Sequence, residues 1–238
     1  MPYKQKLSET EYILREASSR FENPTLSWAG GKDSTTIMHI TKDLFPEFPF
    51  RVVFLDTTYQ FRETYQFLDE VSSAWGIEVT KVRNSEALSN DVNPDSASKV
   101  ECCNKLKTEA LKKAIEDYDI DCYITAIRWD EHDVRGKDYH WSEREDPDHT
   151  RCHPLANWTE EEVWEYILDN NVPVNPIYEK GYRSVGCYPC SEPVTEKSIP
   201  DVKKEASGSV SLPGVGERAG RAQDKEKVME RLRKLGYL

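Results

Sequence analysis

A seven-residue stretch, Ala29-Gly30-Gly31-Lys32-Asp33-Ser34-Thr35, combines the residue types that hold an oxyanion. Adjacent glycines let backbone N–H groups approach a phosphate, and a helix starting at the same point brings the positive end of its dipole to it. Lys32 adds a full charge, and Ser34 and Thr35 add hydroxyl donors. The eight-residue spacing G-x-x-x-x-G-K-[ST] is absent, so this is a different phosphate loop from the one that spacing defines. The bland alternative is a tight turn followed by a helix N-cap.

A second group is made of thiols. Cys102 and Cys103 are adjacent, and Cys187 and Cys190 form a C-x-x-C. Four thiolates from two segments suit a cubane iron–sulfur cluster or a tetrahedral zinc. The third reading is that the doublet is coincidental and the C-x-x-C packs as small residues. Cys122, in a strand-like run, and Cys152, beside His153, read as core thiols.

The elements that must position these residues follow from the apolar pattern. A helix is expected over 8–21, with Tyr12, Ile13, Ala17 and Phe21 on its inner side. Strands are expected over 25–28, 51–55, 77–82 and 122–127, and helices over 34–45, 62–75 and 104–117. Alternation of this kind implies right-handed crossovers, hence an α/β fold with a parallel twisted sheet and helices on both faces. Ligands of such sheets sit beyond the carboxyl ends of the strands. The glycine loop, Asp56 and Arg128 all fall at such ends, and that convergence marks them as a site.

Residues 84–100 are polar and loop-like, and 130–151 are charged without an apolar period, which predicts a mobile loop. A helix is expected over 159–170, where Thr159 and Glu162 make a capping box. Residues 191–216 are rich in Pro, Gly and Ser, and 222–235 read as a charged helix. The expected division is a nucleotide-binding α/β domain over 1–190, then a small irregular C-terminal part, 191–238, with a flexible segment and a helix.

Composition narrows the function classes. With 43 acidic against 32 basic side chains the net charge is −11, which argues against non-specific capture of nucleic acid. A phosphate site must then be a local pocket inside an acidic body. No apolar run approaches membrane-spanning length and the N-terminus lacks an apolar signal core, so no membrane association and a cytoplasmic location are expected. Thiols in such a compartment point to metal or redox chemistry rather than structural disulfides.

SWAGGKDS resembles the SGGKDS loop of PP-loop ATP pyrophosphatases, which cleave ATP between the α and β phosphates. FENPTLSWAGGKDSTTIMH, FLDTTYQFRETYQF, KTEALKKAI and GERAGRAQDKEKVMERLRKLGYL are similar to the small subunit of sulfate adenylyltransferase. HPLANWTEEEVWEYI, NPIYEKGYRSVGCYPC and the Cys102-Cys103 pair resemble adenylylsulfate and phosphoadenylylsulfate reductases, part of the same superfamily.

The resemblance implies roles for particular residues. Lys32, Asp33, Arg128 and Arg218 would be catalytic; Ser27, Ala29, Gly30, Gly31, Ser34, Thr35, Asp56, Arg135 and Arg221 would contact the nucleotide. Asp56 would lie on its ribose or metal side, with a helix-capping role as the alternative. Arg128 would lie over the transferred anion, Arg135 over the β,γ-phosphates, and Asp130 and Glu131 on Mg²⁺ or in a solvated turn. Arg218 and Arg221 would reach the anionic ligand, or form a solvated basic patch. His153 fixes the loop it begins. Cys102, Cys103, Cys187 and Cys190 would hold a [4Fe-4S] cluster.

Three activities fit these expectations, with ATP and Mg²⁺ as cofactors. The leading one is adenylyl transfer from ATP to sulfate, which implies a GTPase large subunit as partner. The second is an iron–sulfur reductase of adenylylsulfate or its 3′-phosphate using an external thiol such as thioredoxin. Residues 191–238 hold no cysteine for a covalent sulfur intermediate, and the glycine loop is intact, which places this second. The third is ATP-activated sulfur insertion, as in DNA phosphorothioation or tRNA thiolation, drawing on a cysteine desulfurase as sulfur donor. A binding-only module is a fourth class. A homo- or hetero-oligomer is expected in each case.

Overall fold

The computed structural model describes residues 3–131, 139–195, 216–221 and 229–236. Arg135 and the expected features over 132–138, 196–215 and 222–228 lie outside the described residues.

Helix α1 (Tyr3–Arg20) precedes β1 (Pro24–Ser27), α2 (Lys32–Leu44), β2 (Arg51–Leu55), α3 (Arg62–Trp75) and β3 (Val79–Val82). After α4 (Ser85–Ser89) come α5 (Lys99–Cys103), a π-helical turn (Asn104–Thr108) and α6 (Glu109–Asp117). The chain then forms β4 (Cys122–Ile124), β5 (Trp141–Glu145), β6 (Asp148–Cys152) and α7 (Glu160–Asn170). Short 3-10 turns follow at Pro176–Lys180 and Tyr188–Cys190, and α8 spans Met229–Lys234.

One six-stranded sheet has the order β3-β2-β1-β4-β6-β5. All neighbours are parallel except β5 on β6. Alternation along the strands assigns two cores. Leu26, Val52, Phe54 and Ile124 face a core shared with Leu14, Ile37, Leu68 and Trp164. Val53 and Tyr123 face a second, made with Leu111, Ala114 and Ile115 of α6. Helices therefore cover both faces, as parallel pairing requires. Each fully buried aliphatic chain of this kind contributes roughly 1.5–3 kcal/mol.

The sheet is larger than the sequence pattern indicates. The expected loop over 130–151 contains the β5–β6 hairpin, and β6 extends the parallel set beside β4. The apolar period fails there because the buried side chains of β6 include His149 and Arg151, while β5 is a half-exposed edge carrying Glu143, Arg144 and Glu145. Charges on an edge strand discourage pairing with another chain. The expected loop over 84–100 likewise contains α4, capped by Asn84 Oδ1 accepting from Ala87 N at 3.0 Å, and the start of α5. The strands expected over 77–82 and 122–127 are trimmed to 79–82 and 122–124. Tyr12 is 67% exposed and leaves the inner face of α1, which Thr10 shares with Ile13 and Ala17.

The capping box at α7 forms as expected, with Thr159 Oγ1 accepting from Glu162 N and Glu162 Oε2 accepting from Thr159 N. Residues Met229 and Leu232 of α8 pack with Cys103 and Ile127, bringing the chain end back against the body.

Candidate active site

The loop between β1 and α2 has the backbone that its glycines permit. Gly30 sits at φ +71°, and a β-carbon there would approach Thr64 Cγ2 to 3.2 Å. Asn175 Nδ2 donates to Gly30 O at 3.2 Å and to Thr64 Oγ1 at 3.0 Å, holding the turn against α3. Gly31 caps α2, and Thr35 N donates to Gly31 O at 2.9 Å. Trp28 Nε1 donates to Thr35 Oγ1 at 3.0 Å, tying the loop's entry to its exit.

A cavity of about 260 Å³ opens beside this loop, beyond the carboxyl ends of β1 and β4. Ser27, Ala29, Gly31, Lys32, Asp33, Ser34, Arg218 and Arg221 line it. Gly30, Thr35, Asp56 and the fully buried Arg128 are not among its lining residues. Thr35 is engaged by Trp28, whereas Asp56 organises the turn after β2. Asp56 Oδ1 accepts from Thr58 N at 2.8 Å and from the Tyr65 hydroxyl at 2.6 Å, and Oδ2 accepts from Arg83 Nε at 2.8 Å. Thr58 is held at φ +67°, a left-handed conformation that a β-branched residue rarely adopts.

Lys32 is buried, being 2% exposed. Its backbone N donates to the Tyr178 hydroxyl at 2.9 Å. Its Nζ meets Asp33 Oδ2 at 3.1 Å, Glu160 Oε1 at 3.8 Å and the Glu217 carboxylate. Burial by itself would lower the Lys32 pKa, but Glu217 and Glu160 outweigh it and hold the ammonium above its ordinary value. Arg128 is fully buried and pairs with Asp33, with Glu217 and, through Nε at 2.9 Å, with Asp130. Lys32 and Arg128 thus converge on one carboxylate, Glu217. Burial pushes the Glu217 carboxyl up, and the two cations outweigh that and lower it.

The surrounding carboxylates have defined work. Asp130 Oδ2 accepts from Glu160 N at 2.9 Å, capping the start of α7, so both its oxygens are engaged. Glu160 receives Arg183 on both oxygens, at 2.7–3.2 Å. Glu131 lines the cavity and accepts from Arg218 Nη1 at 2.9 Å. Arg221 donates from Nη1 to Ser191 Oγ at 3.2 Å. His153 Nδ1 lies 2.7 Å from the Oγ1 of Thr125, which lines the cavity.

Sequence reasoning missed Glu217, Glu160, Arg183, Tyr178, Lys107 and Arg151. Glu217 stands inside GERAGR and Tyr178 inside NPIYEKG, so the segments were visible while the individual roles were not. Arg151 is buried on β6 and lines the same cavity. Its Nε donates to His149 Nε2 at 3.4 Å and its Nη2 to Gly236 O at 2.9 Å.

Cys102, Cys103, Cys187 and Cys190 line a second, smaller cavity, and Lys107 borders both. Cys187 Sγ lies 3.3 Å from Thr57 Oγ1. Burial, followed by the charges of Cys103, Cys187 and Cys190, pushes the Cys102 thiol up to about 11. Four thiols on one cavity are the donor type that a thiolate-held metal group takes, although their spacing here is not that of a formed site. Among the described residues no three His, Cys, Asp or Glu side chains are arranged closely enough to hold a metal ion. Cys122 and Cys152 are both fully buried in the sheet. Among the described residues no helix is long and apolar enough to cross a membrane.

Residues 23–193 match the phosphoadenosine phosphosulfate reductase domain family. The chain is 28% identical to sulfate adenylyltransferase subunit 2 of Baumannia cicadellinicola, covering 97% of this chain and 95% of that one. It is also 28% identical to sulfate adenylyltransferase subunit 2 of Azotobacter vinelandii, covering 98% and 97%. Among solved structures, phosphoadenylyl-sulfate reductase from Candida auris superposes with a TM-score of 0.64 at 21% identity, over 75% of this chain and 88% of that one. FMN adenylyltransferase from Candida glabrata, bound to FMN and an ATP analogue, superposes with a TM-score of 0.65 at 17% identity, over 92% and 90%. These superpositions establish a shared fold.

Proposed function

The chain belongs to the phosphoadenosine phosphosulfate reductase domain family, and from that premise we propose that it transfers the adenylyl group of ATP to sulfate. The observation that carries this reading is the convergence of Lys32 and Arg128 on one anionic group beside an uninterrupted glycine loop. Similarity along nearly the whole chain to sulfate adenylyltransferase subunit 2 supports it.

In the reaction a sulfate oxygen attacks the α-phosphorus, the bond from that phosphorus to the α,β-bridging oxygen breaks, and pyrophosphate leaves with its electron pair. Little is asked of side chains beyond positioning and neutralising charge. Backbone N–H groups at the start of α2 and the helix dipole face the departing pyrophosphate. Lys32 and Arg128 would neutralise it, Arg218 and Arg221 would hold the sulfate, and Leu55, Leu111 and Ile127 offer the adenine an apolar wall. The cavity carboxylates Asp33, Glu131 and Glu217 are each paired with a cation of the protein, and Mg²⁺ bound with the nucleotide would neutralise its phosphates. Partnership with a large GTPase subunit belongs to this reading.

The four cysteines on one cavity favour a second reading, an iron–sulfur reductase of adenylylsulfate or its 3′-phosphate served by an external thiol. Under either reading Cys102, Cys103, Cys187 and Cys190 would hold a [4Fe-4S] cluster, which would tie the 187–190 turn to α5. Formation of labelled adenylylsulfate from ATP and labelled sulfate tests the first reading; release of sulfite from adenylylsulfate and thiol, with no adenylylsulfate formed from ATP, would replace it with the second.

A further inference from the structure

The carboxylates that neutralise Lys32 and Arg128 come from two sources. Asp33, Asp130 and Glu160 belong to the sheet body, at the start of α2, after β4 and at the start of α7. Glu217 comes from the short segment 216–221, far along the chain, and reaches both cations at once. That segment is fastened elsewhere. Glu192 N donates to Gly220 O at 2.7 Å, Arg221 bonds Ser191, and Arg218 bonds Glu131. Glu217 can therefore leave the loop by rotating one side chain while the segment's backbone stays docked. If it leaves, Lys32 keeps Asp33 and Glu160, and Arg128 keeps Asp33 and Asp130, so neither cation is stranded without a counter-charge.

We infer that Glu217 is an intramolecular competitor for the pyrophosphate subsite: its carboxylate sits on Lys32 and Arg128 where a phosphate would bind, must be displaced when a polyphosphate binds, and re-enters as pyrophosphate departs. This rests on the reading that the glycine loop holds the phosphates. A competitor tethered in place lowers apparent affinity by the fraction of molecules in which the subsite is open. It also gives the released product a rival for Lys32 and Arg128, which favours turnover over product retention.

The test is calorimetric titration of the full chain with inorganic pyrophosphate, in EDTA and again with Mg²⁺, for wild type, Glu217→Gln, Glu217→Asp and Lys32→Ala. The expected result is binding by wild type, binding on the order of tenfold tighter by Glu217→Gln with or without Mg²⁺, an intermediate gain for Glu217→Asp, and weakened binding by Lys32→Ala. Glu217→Asp also serves as the readout if the glutamine variant fails to fold. Unchanged or weaker binding by folded Glu217 variants, with Lys32→Ala impaired, would overturn the competitor role and leave the phosphate loop standing. Loss confined to the Mg²⁺ series would make Glu217 a metal ligand instead, also overturning it. Absent binding by wild type, or equal binding by Lys32→Ala, would remove the loop assignment and this inference with it.

Discussion

The guanidinium of Arg221 occupies the space a side chain on residue 186 would need: a β-carbon at Gly186 would fall 1.8 Å from Arg221 Nη1. Gly186 lines the larger cavity and Cys187 the smaller one, so this contact fastens the 216–221 segment where the two sites meet.

Replacing Gly186 by Ala should therefore expel Arg221 and loosen the segment that carries Arg218. The displaced atoms are the far end of a flexible side chain, so the cost to stability is small. The expected outcome is a modest fall in melting temperature with a larger loss of affinity for sulfate, read by calorimetry and by KM. An unchanged KM for sulfate would remove Arg218 and Arg221 from the anion site.

Lys32→Ala should abolish ATP use and also destabilise the fold. Lys32 is buried among Asp33, Glu160 and Glu217. Breaking a buried network by removing one partner costs about 3–5 kcal/mol. Denaturant unfolding measures it, and a change under about 1 kcal/mol would mean that the ammonium is solvated like a surface pair.

The legible and illegible parts of this molecule divide along a physical line. The strands β1 and β2 and the helices α2, α3 and α7 carry apolar periodicity, because their inner faces bury Leu26, Val52, Phe54, Ile37, Leu68 and Trp164. The hairpin β5–β6 carries none, since two of the buried side chains of β6 are His149 and Arg151, whose burial rests on hydrogen bonds instead. Individual site residues divide similarly. Lys32 and Asp33 are marked by local sequence, whereas Glu217 meets Lys32 only through a contact across much of the chain length, which no spacing rule encodes.

His149 supplies the pH dependence. Burial, then the Arg151 and Arg144 charges, outweighs the Pro147 carbonyl and lowers its pKa. A neutral ring donating from Nδ1 to Pro147 O leaves Nε2 to accept from Arg151 Nε. The unfolded chain takes up the proton near its ordinary value of about 6.5 while the folded chain resists it, so the contribution to stability is present above that pH and is lost as pH falls below it. His149→Gln should flatten the stability profile below about pH 6.5 relative to wild type. Parallel profiles would place the acid sensitivity elsewhere.

Anaerobically purified protein should be brown and carry about four irons per chain, and Cys103→Ser or Cys187→Ser should bleach it, since oxygen is a poor substitute for thiolate on iron. Colourless protein with neither iron nor zinc would reduce the four cysteines to packing residues and leave adenylyl transfer without a cluster.

A site that activates sulfate with ATP must couple pyrophosphate release to sulfate. The most direct test is pyrophosphate release from MgATP by the purified chain, measured with and without sulfate and with pyrophosphatase present to remove product. Release should depend on sulfate and be lost in Arg128→Ala. Release that ignores sulfate, or no release alongside thiol-dependent sulfite production from adenylylsulfate, would contradict sulfate activation.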